Sequence, residues 1–203
     1  MNYGDLKSNI ADWLNRSDLT SVIPTFVALA EADLNRILRH WRMEKRSVAE
    51  TSGQYLDLPT DWIELIRVKL TGGGTTELEL ISQADMSDLR DRSGDASGTP
   101  AFYCITGGQL EFYPTPSSTH NVEIVYYASL DSLTADGDEN WLLTHHPDAY
   151  MYSALTHAAP YLDDDARVQV WSSLAQKAVS SINTESQQAR FSGTGIRMKI
   201  RSY

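Results

Sequence analysis

The sequence predicts an α+β fold: terminal α-helices packed as a helical bundle, an inserted antiparallel β-sheet lobe, and an extended C-terminal arm. Three observations predict it. Apolar residues recur every three or four positions near both ends, they alternate with polar residues through the middle, and both periods fail after about Gln188. The expected boundaries are 1–45 with 141–187 for the helical lobe, 46–140 for the β lobe and 188–203 for the arm.

In chain order, Tyr3, Leu6, Ile10, Trp13 and Leu14 mark one apolar helical face. A second helix is capped by Ser21, carries Pro24 in its first turn, and aligns Ile23, Val27, Ala30, Leu34, Ile37, Leu38 and Trp41 on one stripe. Past Glu44 the period becomes 2. Leu56 and Leu58 precede Pro59, and Ile66, Val68 and Leu70 alternate with Arg67 and Lys69. A turn at 71–75 leads to Leu78 and Leu80 on a partner strand, and Ser82 caps a short helix reaching about Arg90. The stretch 91–99, rich in Ser, Gly and Asp, reads as a mobile loop. Residues 101–106 and 109–113 flank Gly107-Gly108, a strong hairpin signal. Val122, Ile124, Tyr126, Ala128 and Leu130 complete a β unit of five or six strands. Helix returns near 141, with Pro147 in a first turn. A last helix opens at Asp163-Asp164-Asp165 and buries Val168, Trp171, Leu174, Ala175, Ala178 and Ile182.

With 203 residues and a hydrophobic fraction of 41%, the chain can bury a core as one domain or as two small lobes. No apolar run approaches the roughly 18 to 20 residues that span a bilayer, and Met1-Asn2-Tyr3-Gly4-Asp5 does not read as a signal peptide, so a cytosolic origin is the default. The lone Cys104 falls in a strand, where a buried, inert thiol is expected. The net charge of −10 divides into +4 from Gln188 onward and −14 on the rest. Such a body is a poor phosphate binder, because that affinity comes from clustered Lys and Arg.

The residues that carry chemistry elsewhere do not assemble a known site here. Gly72-Gly73-Gly74 lacks the following Lys-Ser/Thr of a phosphate loop and leads into a strand. His145, His146, Asp148 and His157 lack metal-ligand spacing. Asp163-Asp164-Asp165 lacks the glycine and distal glutamate of a calcium loop. No Gly-x-Ser-x-Gly elbow exists. Catalytic, cofactor and metal residues are therefore expected to be none. Trp13, Trp41 and Trp171 sit on helical stripes and are expected in the core. Tyr103, Tyr113 and Tyr127 project from strands, where cross-strand packing outweighs base stacking. The arm differs: Ile196, Met198 and Ile200 alternate with Arg197, Lys199 and Arg201, between Arg190-Phe191 and Tyr203. It either closes onto this protein's own sheet or adds to a partner's surface.

Four segments resemble the adaptor (head-completion) proteins of tailed bacteriophages, a family that includes the tail tubular A-type proteins. They are Ile23-Pro24-Thr25-Phe26-Val27-Ala28-Leu29-Ala30-Glu31-Ala32-Asp33-Leu34-Asn35-Arg36, Leu58-Pro59-Thr60-Asp61-Trp62-Ile63-Glu64, and Gly98-Thr99-Pro100-Ala101-Phe102-Tyr103 with Tyr113-Pro114-Thr115-Pro116, followed by Tyr126-Tyr127 and Leu142-Leu143 through Pro147-Asp148-Ala149-Tyr150. Their order and spacing extend the likeness over about residues 3 to 187. The resemblance implies a non-enzymatic virion protein of the neck, assembled in the host cytoplasm as a ring of usually twelve copies beneath the portal protein. Tail or nozzle proteins would attach below it, and DNA would pass through without specific binding. It implies no cofactor and no membrane. It assigns portal contact to Arg190, Phe191, Ile196, Arg197, Met198, Lys199, Ile200, Arg201 and Tyr203. Three other readings stay open: a tail-side gateway or tail-completion ring, a small hydrolase using His145 or His146, and a single-strand binder using the strand tyrosines.

Overall fold

The computed structural model describes residues 1–72, 76–162 and 165–191. It confirms the α+β class. In chain order the elements are α1 (Tyr3–Leu14), α2 (Ile23–Ile37), a 3-10 turn (Trp41–Met43), β1 (Glu44–Thr51), β2 (Tyr55–Asp57) and β3 (Trp62–Thr71). Then come β4 (Thr76–Glu77), β5 (Glu79–Leu80), α3 (Gln83–Ser93), β6 (Ser97–Gly98), β7 (Phe102–Thr106) and β8 (Gln109–Tyr113). The chain ends with β9 (Thr115–Pro116), β10 (His120–Ala128), α4 (Trp141–His145), α5 (Pro147–Tyr161) and α6 (Asp165–Phe191). Two compact units result: Met1–Met43 together with the described residues from Leu130 onward, and the described residues of Glu44–Ser129.

In the helical unit, Asn2 caps α1 by accepting from the Asp5 amide, and the Asp5 carboxylate accepts in return from the Asn2 amide. Tyr3, Leu6 and Ile10 point inward against α5, which α2 and α6 also contact. Ala149, Ala154 and Ala158 are fully buried on α5, and such small side chains let neighbouring helices approach closely. On α2 the buried positions are Ile23, Phe26, Val27, Ala30 and Leu34. Its N-cap is Val22 without a side-chain bond, so Ser21 does not cap it. The helix stops at Ile37, although the apolar spacing continues through Leu38 and Trp41. Leu38 is extended (ψ 134°), and the chain beyond it is held by α6. Asn183 Oδ1 accepts from the Arg39 amide at 3.3 Å and Ser186 Oγ from the Trp41 amide at 3.0 Å. Side chains of α6 thus satisfy amides that a longer α2 would have satisfied internally.

The β unit holds a sheet of order β1-β10-β3-β4, a sheet of order β2-β8-β7-β5, and the pair β6-β9. Val68, Leu70, Val122 and Ile124 from the first sheet share one core with Tyr103, Leu110 and Phe112 from the second. The strands are shorter and more numerous than expected, and the β5–β7 and β6–β9 pairs are parallel. The Gly107-Gly108 hairpin forms as the sequence predicts, with Thr106 opposite Gln109 and φ values of 60° and 83° at the glycines. Helix α3 is capped by Ser82 but continues to Ser93, and Ser97–Gly98 pairs with Thr115–Pro116, so much of 91–99 is structured. Ile66 departs from its predicted inward phase. A register shift opposite Val125/Tyr126 leaves Ile66 43% exposed, while Leu65 packs on the core. Gly72, at φ 110°, leaves β3 in a turn; Gly73, Gly74 and Thr75 lie outside the described residues.

Candidate functional site

The residues that carry the adaptor resemblance hold backbone together. On α2, Glu31 Oε1 accepts from the Leu133 amide (3.2 Å) and the Tyr150 hydroxyl (3.3 Å). One turn further, Asn35 Oδ1 accepts from the Leu130 amide at 2.9 Å. Asn140 Nδ2 donates to the Tyr150 hydroxyl at 2.7 Å, and its Oδ1 caps α4 at the Leu143 amide. Burial pushes the Glu31 carboxyl up, against the bonds from Leu133 and Tyr150, and it pushes the Tyr150 phenol well above its ordinary range. These groups fix the segment 130–140 against α2 and α5. In the β unit, Asp61 accepts from the Tyr126 hydroxyl and Lys45 Nζ, both at 2.9 Å. A second polar cluster, which no sequence pattern announces, surrounds Glu111. That side chain is 7% exposed and accepts from Arg90 Nε at 2.9 Å and Gln54 Nε2 at 3.0 Å.

The strand tyrosines Tyr103, Tyr113 and Tyr127 are buried, which closes the base-stacking route. Cys104 is buried beside Glu111, and burial pushes its thiol up, as expected for an inert cysteine. His145 and His146 lie at the α4–α5 junction, and His146 Nε2 stands 3.7 Å from the Glu185 carboxylate. His157 Nε2 meets Asp33 Oδ2 at 2.9 Å, and Arg36 pairs with the same carboxylate. Among the described residues no cluster of three or more His, Cys, Asp or Glu could hold a metal ion. Asp163 and Asp164 lie outside the described residues.

His40, which carried no signal in the sequence, is fully buried. Its ring stacks on Trp141 at 4.8 Å, and its Nδ1 accepts from the Arg42 amide at 3.2 Å. That bond places the proton of the neutral ring on Nε2, which has no hydrogen-bond partner. Burial pushes the His40 pKa down; Glu185 opposes this, while His146, Arg42 and Arg190 add to it.

The three tryptophans expected in the core are not there. Trp13 is 49% exposed and Trp41 42% exposed, and Trp171 is half-buried. Trp13 meets Trp171 at 5.6 Å and Tyr152 at 6.1 Å, a partly open aromatic cluster where α1 meets α6. For Trp13 and Trp171, helical spacing identified the inward side but not how far neighbouring helices cover it, whereas Trp41 lies past the end of α2 in the 3-10 turn. Where α6 faces α2, a groove of about 610 Å³ opens, lined in part by Asp33, Ile37, Ser153, His157, Gln176 and Ser180.

Of the residues expected in the arm, Arg190 and Phe191 are the last two of α6, both exposed. Helix therefore persists past Gln188. Ile196, Arg197, Met198, Lys199, Ile200, Arg201 and Tyr203 lie outside the described residues. No described helix is long and apolar enough to cross a membrane.

A comparison with curated proteins finds no match. A comparison with protein families finds the SU10 adaptor protein, whose family model matches residues 1–198, nearly the whole chain. That family is one of structural virion components of phages, which join other head or tail components and are not an enzyme class. The chain belongs to the SU10 adaptor protein family.

Proposed function

We propose that this adaptor is a subunit of the phage head-to-tail connector, related to the tail tubular A-type proteins. It docks beneath the portal as a ring of twelve copies, continues the DNA channel, and offers a platform to tail or nozzle proteins. The observation that carries this reading is the family match over residues 1–198, which spans both structural units. The polar motif residues support it from the other side. Glu31, Asn35 and Asp61 are engaged in holding backbone and neighbouring side chains rather than in chemistry.

Portal contact belongs to the basic, alternating C-terminal segment. It begins at the exposed end of α6 with Arg190 and carries all four charges of the +4 region. The remaining −14 suits a channel component, because acidic walls repel phosphate and let DNA slide. Deleting residues 190–203 tests the assignment. Binding to purified portal should be lost while the thermal transition of the remaining chain is unchanged. Retained binding would remove the arm from the interface.

A further inference from the structure

The exposed surface of the helical unit contains two faces that are unusual for a helix in water. Between Val168 and Ala189, α6 has only Lys177 and Glu185 as charged residues. Yet only Ala178, Val179, Ile182 and Ser186 of that stretch are buried. Surface helices ordinarily turn charged residues to solvent. The outward row of α2 (Thr25, Ala28, Leu29 and Ala32) is likewise small or apolar until its last turn, where Arg36 is exposed. Beside α6 lies the 610 Å³ groove, to which α2 contributes Ile37 and the formally charged Asp33, itself paired with Arg36 and His157. The second face is the aromatic cluster, where Trp13 is 49% exposed against Trp171, and Val170, the residue before Trp171, is 53% exposed. Arg167 and Trp171 line the same hollow on that face. The groove and the aromatic face share no residue.

We propose that these faces meet between copies, the aromatic face of one chain seating in the α2–α6 groove of the next. The inference rests on the ring reading above and names the surfaces that make the ring. A closed head-to-tail ring needs two different complementary surfaces on each subunit. Charge selects a second copy as the occupant. At −10 overall, with thirteen acidic against six basic residues in 44–129, most contacts between copies would oppose like charges. The groove and the aromatic face carry few formal charges and so avoid this. Tryptophan is also among the residues that most often anchor an energetically dominant contact.

The test is disulfide cross-linking of full-length protein carrying Val170→Cys and Ser180→Cys together, alone and with purified portal. Cys104 is buried and does not compete. A ladder of multimers is expected from the double variant, dimers alone from a mixture of the two single variants because each chain then carries one engineered cysteine, and no cross-link in either single variant by itself. Dimers from one single variant would mean two-fold packing and overturn the inference. So would the absence of a ladder, and native mass then separates the causes. Several copies per portal without a ladder sinks the proposed surfaces and leaves the ring; no multi-copy assembly at all sinks both. Ser180→Glu, at an exposed position, gives an independent reading. It should lower the number of copies bound per portal without shifting the melting temperature, and an unchanged copy number would contradict the proposal.

Discussion

Glu31 holds the 130–133 segment against α2 with one carboxylate oxygen, and burial raises its pKa. A carboxyl raised on folding binds its proton more tightly in the native state, so its contribution to stability falls as pH rises from its ordinary range near 4.5 through the raised value. Glu31→Gln keeps an acceptor and removes the charge. It should cost little at neutral pH and flatten that part of the stability profile, whereas Glu31→Ala should lose about 1 to 3 kcal/mol by stranding the Leu133 amide. Chemical denaturation from pH 4 to 7 distinguishes them; equal losses from both variants would contradict the role of the acceptor. His40 responds in the opposite direction. Its folded pKa lies below the ordinary 6.5, so the unfolded chain takes up the proton first and stability declines as pH falls below about 6.5. His40→Phe preserves the stack on Trp141 and should remove that decline between pH 7 and 5; a decline of the same size would place its cause elsewhere.

At the scale of elements, the end of α6 is the part on which the proposed function most depends, because the C-terminal segment leaves from it. Asn183 and Ser186 tie these turns to the chain after α2. Replacing both by alanine should strand the Arg39 and Trp41 amides, at about 1 to 3 kcal/mol each. Hydrogen exchange should then quicken in residues 180–191 and 38–43 while strands β7 and β8 keep their protection. Uniformly faster exchange would mean that the contacts support the whole chain. These bonds also explain what the sequence could reveal and what it could not. Ser82, Pro147 and Gly107-Gly108 act through their own neighbours, so their caps and turns are legible locally. The stop of α2 at Ile37 and the bulge at Ile66 depend on partners distant in sequence, and a continuing apolar period conceals both. The same distance hid His40, whose burial is set by Trp141 roughly a hundred positions away. The tryptophans mark the limit of periodicity. Spacing placed Trp13 and Trp171 on the inward side, but coverage by other helices decides exposure, and here it is incomplete.

At the scale of the molecule, charge and assembly belong together. A body of −14 should leave duplex DNA free, and an electrophoretic mobility assay of the isolated protein at physiological salt should show no retardation. Firm binding there would contradict an acidic channel. In the proposed ring, a portal that gathers many copies would raise their effective concentration, so that contacts too weak to hold a lone pair would suffice. The most direct test of the connector reading is therefore the native mass of the full chain with and without purified portal. The account predicts a monomer that becomes a portal-bound ring of twelve copies. No association across a range of salt concentrations would contradict portal docking and direct the search for its partner to the tail proteins.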